Sequence, residues 1–406
     1  MTRRTPFRLS SLRRSTAAVG TLAALAAVAA CSAEKTSNPD SDTASLSGLS
    51  AIPSDLRAAY KGSDQVAVAS SWEDFKGTDG PWKIAYASTF SGNQWRATVQ
   101  DHIRDLAKQY EDAGLVSDLV VTESNLDVGT TSQQIHQLVD SGVDGILTIS
   151  PSSTGINQAI AYAASKGVPV VNFDSPVTSP EAINTGLNYV QAGKMQAEAL
   201  VDQINGTGNV LEVNGIPGYA SSEQLEKGAN SVFKSSDGIK IVSSVDGLWA
   251  AQIAKEKVLG ALASNPEKID AVYQSTSQAS GVIQAFQQAR PDQPVPPVTM
   301  STDVAGMTYW RDNPDFATTG FSVFPPFADS DIAFETLLRT LDGQGPLVSS
   351  IVRQPDTFDH SDLDQLLPSG ATMSSTDSVD VVENTFLTDD LDKFFARPAD
   401  LPSPAN

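Results

Sequence analysis

The sequence predicts an α/β chain folded as two doubly wound domains with parallel sheets. Three observations lead there. Short apolar runs alternate with amphipathic stretches from residue 81 to about residue 347, and glycine or proline marks the junctions between them. The alternation also repeats so often that about ten strands result, too many for one small open sheet.

The elements follow in order. Residues 82–87 read as a strand, and Asn93 then opens a segment whose Val99, Ile103, Leu106, Tyr110 and Ala113 share one helical face. Further strand-like runs fall at 119–122, 146–149, 170–173, 210–213, 239–245 and 271–273. Helical segments of about 12 to 15 residues separate them, around Ile135, Ile160, Ala197, Leu225, Ile253 and Ile283. Gly114, Gly142, Gly167-Val168-Pro169, Gly206 and Gly208 punctuate the series. Strands followed by helices in this rhythm call for parallel sheets covered on both faces. In such sheets ligands bind beyond the carboxyl ends of the strands.

The ends are organised differently. Arg3, Arg4, Arg8, Arg13 and Arg14 precede an apolar stretch, Ala17 to Ala30, that is too short to span a bilayer. It closes on Val28-Ala29-Ala30-Cys31, and Cys31 is the only cysteine of the 406 residues. Residues 1–30 therefore read as a bacterial lipoprotein signal with the lipid on Cys31. The alternative is an ordinary secretory signal followed by an unrelated cysteine. The Arg13-Arg14 pair matches a twin-arginine export signal poorly. Residues 31–50 are too polar to bury a core and read as a flexible tether, and 51–80, with Trp72 and Phe75, as a lead-in to the first domain. Residues 351–406 form an acidic C-terminal extension of unknown packing, rich in Ser, Asp and Pro. With no disulfide available, stability must come from a large core, which roughly 350 residues can supply.

Charge narrows the partners. The formal net charge is −21, and loss of the five arginines of residues 1–30 takes it to −26. Such a chain is repelled by nucleic acid and by anionic lipid headgroups. Solubility at a cell surface accounts for the acidity.

The loops after the strands hold the candidate chemistry. After the first strand comes Ser88-Thr89-Phe90-Ser91-Gly92-Asn93-Gln94-Trp95-Arg96, and after the strand at Val170 comes Asp174-Ser175. Asn214-Gly215-Ile216-Pro217-Gly218-Tyr219, Trp249, Gln274-Ser275-Thr276-Ser277-Gln278 and Ser301-Thr302-Asp303 occupy the equivalent places later. Hydroxyls, amides, isolated carboxylates and tryptophans thus gather at one edge, a mix that suits a polyhydroxylated ligand. The competing assignment makes Asn93, Asp174 and Asp303 helix N-caps and Trp95 a core residue.

Over some 260 residues the order and spacing of motifs resemble the type I periplasmic binding proteins of the ribose-binding group. These are solute receptors of sugar ABC importers. The matching stretches are 84–95, then Gln134-Ile135-His136-Gln137-Leu138-Val139-Asp140-Ser141-Gly142-Val143-Asp144-Gly145-Ile146-Leu147 and Ile149-Ser150-Pro151. Gly167-Val168-Pro169-Val170-Val171-Asn172-Phe173-Asp174 and Ala192-Gly193-Lys194-Met195 continue the series. The resemblance implies two three-layer α/β/α domains joined by a three-strand hinge, closing on a sugar. It implies an N-terminal lobe of 81–186 with 325–350 and a C-terminal lobe of 187–324. By position, Ser88 and Asn93 would bond hydroxyls and Trp95 would stack on the ring. Asp174, Ser275 and Asp303 would take further hydroxyls, with Trp249 as a second aromatic wall.

The chain also departs from that pattern. Ser175 and Leu225 stand where ribose-binding relatives carry arginines, Ser275 where an asparagine is frequent, and Val323 or Phe324 near the usual hinge glutamine. Losing two guanidiniums and an amide removes bidentate donors and predicts a less polar pocket. A deoxysugar, a smaller polyol or a less hydroxylated compound therefore competes with ribose.

Catalytic readings find little support. His102, His136 and His360 are the only histidines and lie far apart, and no Gly-x-Ser-x-Gly elbow occurs. Gly206-Thr207-Gly208 follows a helix and precedes a strand, the wrong order for a dinucleotide fingerprint, so it reads as a helix stop. The expectation is a monomeric, lipid-anchored receptor on the extracytoplasmic face of the cell membrane. It would use no cofactor or metal and deliver a sugar or polyol to the permease subunits of an ABC importer. A surface sensor signalling to a membrane kinase or chemoreceptor is the alternative. A repressor of this fold would need a basic helix-turn-helix where the signal stands.

Overall fold

The structure, a computed structural model, describes residues 47–90, 93–265, 267–380, 386–397 and 401. The expected signal, Cys31 and most of the tether lie outside the described residues. The first elements are β1 (Trp82–Ser88), α1 (Gln94–Asp112), β2 (Val116–Glu123), α2 (Val128–Asp140), β3 (Gly145–Thr148), α3 (Asn157–Ser165), β4 (Val170–Phe173) and β5 (Ile183–Leu187). Then come α4 (Tyr189–Gln203), β6 (Gly208–Asn214), α5 (Ala220–Ser235), β7 (Ile239–Asp246), α6 (Ala251–Ser264), β8 (Ala271–Gln274), α7 (Ala279–Ala289) and α8 (Val304–Asp312). The series ends with β9 (Gly320–Ser322), α9 (Pro326–Leu341), β10 (Ser350–Arg353), β11 (Asp356–Phe358) and α10 (Leu363–Leu366).

The strands form two parallel sheets. The first has the order β10-β5-β4-β3-β1-β2 and the second β7-β6-β8. The second is continued by Val298 beside Val272 and Met300 beside Gly320, and β9 pairs antiparallel with β11. The chain passes between the two systems three times: after β5, between β9 and α9, and between β10 and β11. Strand β5, with the sequence Ile-Asn-Thr-Gly-Leu, is fully buried and was hidden from an apolar-run reading by its polar residues. Asn184 resolves that conflict, its Oδ1 accepting from the Val177 N–H at 2.9 Å and the Asn172 amide at 3.0 Å.

Period-two alternation places the cores. Ile84 and Tyr86 of β1 meet Val99, Ile103 and Tyr110 of α1 and Phe334 and Leu337 of α9. Ala85 and Ala87 face the opposite way, onto Ile135, Leu138 and Ile160. In the second sheet Leu211 and Val213 pack with Val258, Ile283 and Trp310, and Val210 with Leu200, Ala229 and Phe233. Each sheet is thus the middle of three layers.

One helix crossing is unusually close. A Cβ on Gly193 of α4 would lie 2.0 Å from the Leu225 carbonyl oxygen, and one on Gly228 of α5 would lie 2.0 Å from that of Val190. Only a hydrogen side chain fits at either position.

The terminal segments pack on this frame. Ser47–Ala51, at the junction of tether and lead-in, forms a 3-10 turn in which the Gly48 N–H donates to the Ala67 carbonyl at 2.9 Å. Trp72 enters the first core beside Trp82 and Leu341. From the extension, Phe358 and Leu363 join the core around Trp310, while Leu391, Phe394 and Phe395 bury against Ile52, Tyr60 and Ile351. No helix among the described residues is long and apolar enough to cross a membrane.

Candidate functional site

The carboxyl ends of both parallel sheets converge on one cavity. Phe90 follows β1, Ile149 follows β3, and Asp174 and Ser175 follow β4. From the second sheet, Ile216 and Tyr219 follow β6, Trp249 follows β7, and Thr276 and Ser277 follow β8. Asn93, Trp95 and Arg96 at the start of α1, Ser221, and Phe324 on the crossover between β9 and α9 complete the wall. The empty space between these side chains, counting the part open to solvent, is about 470 Å3.

Aromatic rings dominate this wall. Phe324 is their hub, with ring centroids 5.9 Å from Trp95, 5.4 Å from Trp249 and 5.2 Å from Tyr189. Tyr219 meets Trp249 edge-on at 5.9 Å. Hydrogen bonds fix the indoles: Trp95 Nε1 donates to the Phe324 carbonyl at 2.8 Å, and Trp249 Nε1 to Ser275 Oγ at 3.0 Å. The Thr89 and Tyr219 hydroxyls lie 3.5 Å apart and link the two sides of the cleft. Trp249 sits in the left-handed region at φ 53°, which aims its ring across the cavity.

The polar groups are few. Asn93 caps α1, its Oδ1 accepting from the Arg96 N–H at 2.8 Å, and still lines the cavity. The Arg96 guanidinium carbon lies 5.3 Å from the Trp95 ring centroid and 5.9 Å from that of Tyr219. Asp174 has φ 61° and is buried. Burial pushes its carboxyl well above the usual carboxylate range, and the Asp329 carboxylate beside it pushes further, against the pull of Arg96 and Arg353. Asp329 is itself ion-paired to Arg353. Burial pushes the Asp329 carboxyl up as well, so the two buried carboxyls titrate as a coupled pair.

The seven residues expected from sequence divide in two. Asn93, Trp95, Asp174 and Trp249 line the cavity together. Ser88, Ser275 and Asp303 are buried outside that lining. Ser275 orients Trp249 from behind, and the Asp303 carboxylate accepts from the Gly306 N–H at 3.1 Å as the N-cap of α8 and from Ser301 Oγ at 3.0 Å. Burial pushes the Asp303 carboxyl up to about 6, with those hydrogen bonds opposing. Arg96, Tyr219 and Phe324 were not chosen from sequence. Arg96 and Tyr219 lie in the loop segments already singled out, and Phe324 at the position flagged for lacking glutamine.

Among the described residues no group of three or more His, Cys, Asp or Glu side chains is arranged to hold a metal. The histidines are dispersed: His102 meets Asp331 at 2.7 Å, the His136 ring lies tilted against Tyr162, and His360 meets the Arg311 carbonyl at 3.1 Å.

A family model described as a periplasmic binding protein domain matches residues 84–345. The chain belongs to this family. The matched part of this periplasmic binding protein begins within β1 and ends before β10, so the lead-in and the C-terminal segment lie outside it. The chain is 27% identical over 174 residues to a xylitol-binding protein of Mycolicibacterium smegmatis, covering 42% of this chain and 50% of that protein. It is 28% identical over 199 residues to the D-allose-binding periplasmic protein of Escherichia coli, covering 46% and 64%. The chain thus spans about half to just under two thirds of the length of these curated relatives. The solved structure of an ABC transporter solute binding protein from Thermobispora bispora superposes with a TM-score of 0.68 at 26% identity, covering 76% of this chain and 94% of that one.

Proposed function

We propose that this protein is an extracytoplasmic solute receptor that captures a sugar or polyol and delivers it to the permease of an ABC importer. One observation carries the reading: a single cavity at the carboxyl ends of strands from both sheets, walled by Trp95, Trp249, Tyr219 and Phe324. Aromatic faces cover the C–H surface of a small carbohydrate, while Asn93, Ser175, Arg96 and the Asp174 carboxyl bond its hydroxyls. The names of the relatives, binders of xylitol and D-allose, support the same ligand class.

In this reading residues 81–186 with 325–350 form one lobe and 187–324 the other, β10 extends the first lobe to residue 353 before β11 rejoins the second, and the three crossovers are the hinge. Ligand bridging both walls stabilises the closed form, which the permease recognises. The ligand is released unchanged, so no reaction is involved. Lipid on Cys31, after removal of residues 1–30, holds a monomeric receptor at the membrane surface.

A melting-temperature screen of the purified protein against monosaccharides, polyols and nucleosides tests the reading. A cognate ligand at a hundredfold its Kd adds about 2.7 kcal/mol to the folded state and raises Tm. A screen in which no sugar or polyol moves Tm, with calorimetry equally silent, rejects it.

A further inference from the structure

Three arginines are buried in the described structure: Arg96, Arg339 and Arg353. Arg339 is paired with Asp392 and Arg353 with Asp329. Arg96 has no carboxylate partner among the described residues, although it is only 5% exposed. Its Nη1 is buried without any hydrogen-bond partner, and its guanidinium carbon lies over the rings of Trp95 and Tyr219. Ser175 Oγ, on the same cavity wall, is also buried and unpartnered.

Asp174, the carboxyl group that lines the same cavity, forms no ion pair with Arg96; burial and the neighbouring Asp329 push its carboxyl up, against the pull of Arg96 and Arg353. Arg96 is thus a buried guanidinium on the cavity wall with an unpartnered Nη1 and no ion pair among the described residues. Burying a charge without a partner is costly. At a binding cavity the cost is recovered when the ligand brings the opposite charge.

We propose that the ligand is an acidic sugar or polyol, an aldonate or uronate, whose carboxylate seats on the free edge of the Arg96 guanidinium. Its carbon skeleton then lies against Trp95, Trp249 and Phe324, and Ser175 Oγ meets a hydroxyl. The inference rests on the receptor reading and names the ligand class for the same cavity.

The test uses matched pairs on the purified full-length protein: D-xylonate with xylitol, D-gluconate with D-glucitol, and D-galacturonate with D-galactose. Calorimetry should find at least one acid bound tenfold or more tightly than its neutral partner. Arg96→Gln should then weaken that acid by about 30-fold or more and erase the preference. The unliganded variant should melt no lower than wild type, because it removes an unpaired buried charge. Should Arg96→Gln fail to fold, the preference of the wild type within the pairs decides alone. A neutral partner bound as tightly as its acid, or more tightly, overturns the inference and leaves the receptor reading standing. Absence of binding by all six compounds also overturns it, and the wider melting screen then judges the receptor reading separately.

Discussion

Asparagine at position 174 would separate the charge state of the cavity floor from its shape. The replacement is nearly isosteric, and asparagine tolerates the left-handed φ of 61° found there. Its amide can donate toward Asp329. What disappears is the titration. In the wild type the buried carboxyl has a folded pKa well above its usual value. An unfolded aspartate titrates near about 4. Above that pH, and up to the folded pKa, the native state binds one proton more than the unfolded chain. Wild-type stability therefore falls as pH rises, by about 1.4 kcal/mol per pH unit from this group. Asp174→Asn lacks that slope. The difference in unfolding free energy, variant minus wild type, should grow as pH rises from the unfolded pKa toward the raised folded one. Urea unfolding at pH 5, 6 and 7, followed by tryptophan fluorescence, measures it. Parallel profiles would mean that Asp174 is ionised across this range, as a counter-charge of Arg96 would be.

Trp95→Ala removes a wall of the cavity and its bond to the Phe324 carbonyl, and should weaken ligand at least tenfold, about 1.4 kcal/mol by calorimetry. Asp303→Ala loses the cap of α8 and should cost about 1–2 kcal/mol of stability, with ligand affinity changed less than about threefold. Gly193→Ala would drive a methyl into the Leu225 carbonyl; a loss of about 3 kcal/mol in urea unfolding is expected, and a neutral result would refute the tight crossing. Burial pushes the Glu212 carboxyl up to about 7, so it destabilises the native state progressively as pH climbs from the unfolded value toward 7, and Glu212→Gln should flatten that part of the Tm profile.

The layered fold was legible because apolar runs and helical periodicity survive in the sequence: the helical face of Val99, Ile103 and Leu106 and the strand-like run at 82–87 both appear in the packed cores. Strand β5 was not legible, since a buried strand carrying Asn184 and Thr185 satisfies its polar groups through partners distant in sequence. The tail was opaque for a similar reason. Its apolar clusters have no period of their own and bury against Tyr60 and Trp310, contributed from elsewhere. At the site, residues directly after strand ends were within reach of sequence reasoning, as Asn93, Asp174 and Trp249 illustrate. Arg96 sits in the first turn of a helix, where a cation ordinarily reads as solvent-facing, and only the opposing sheet with Tyr219 makes it part of a closed wall. A carboxylate such as Asp303 can cap a helix or bind a hydroxyl, and the chain alone does not separate the two uses.

The most direct test is a crystal structure of the protein with the ligand that raises its Tm most. The account predicts one molecule between Trp95 and Trp249, touching residues of both sheets and approaching Arg96. Ligand density elsewhere, or confined to one sheet with this cavity collapsed, would contradict it.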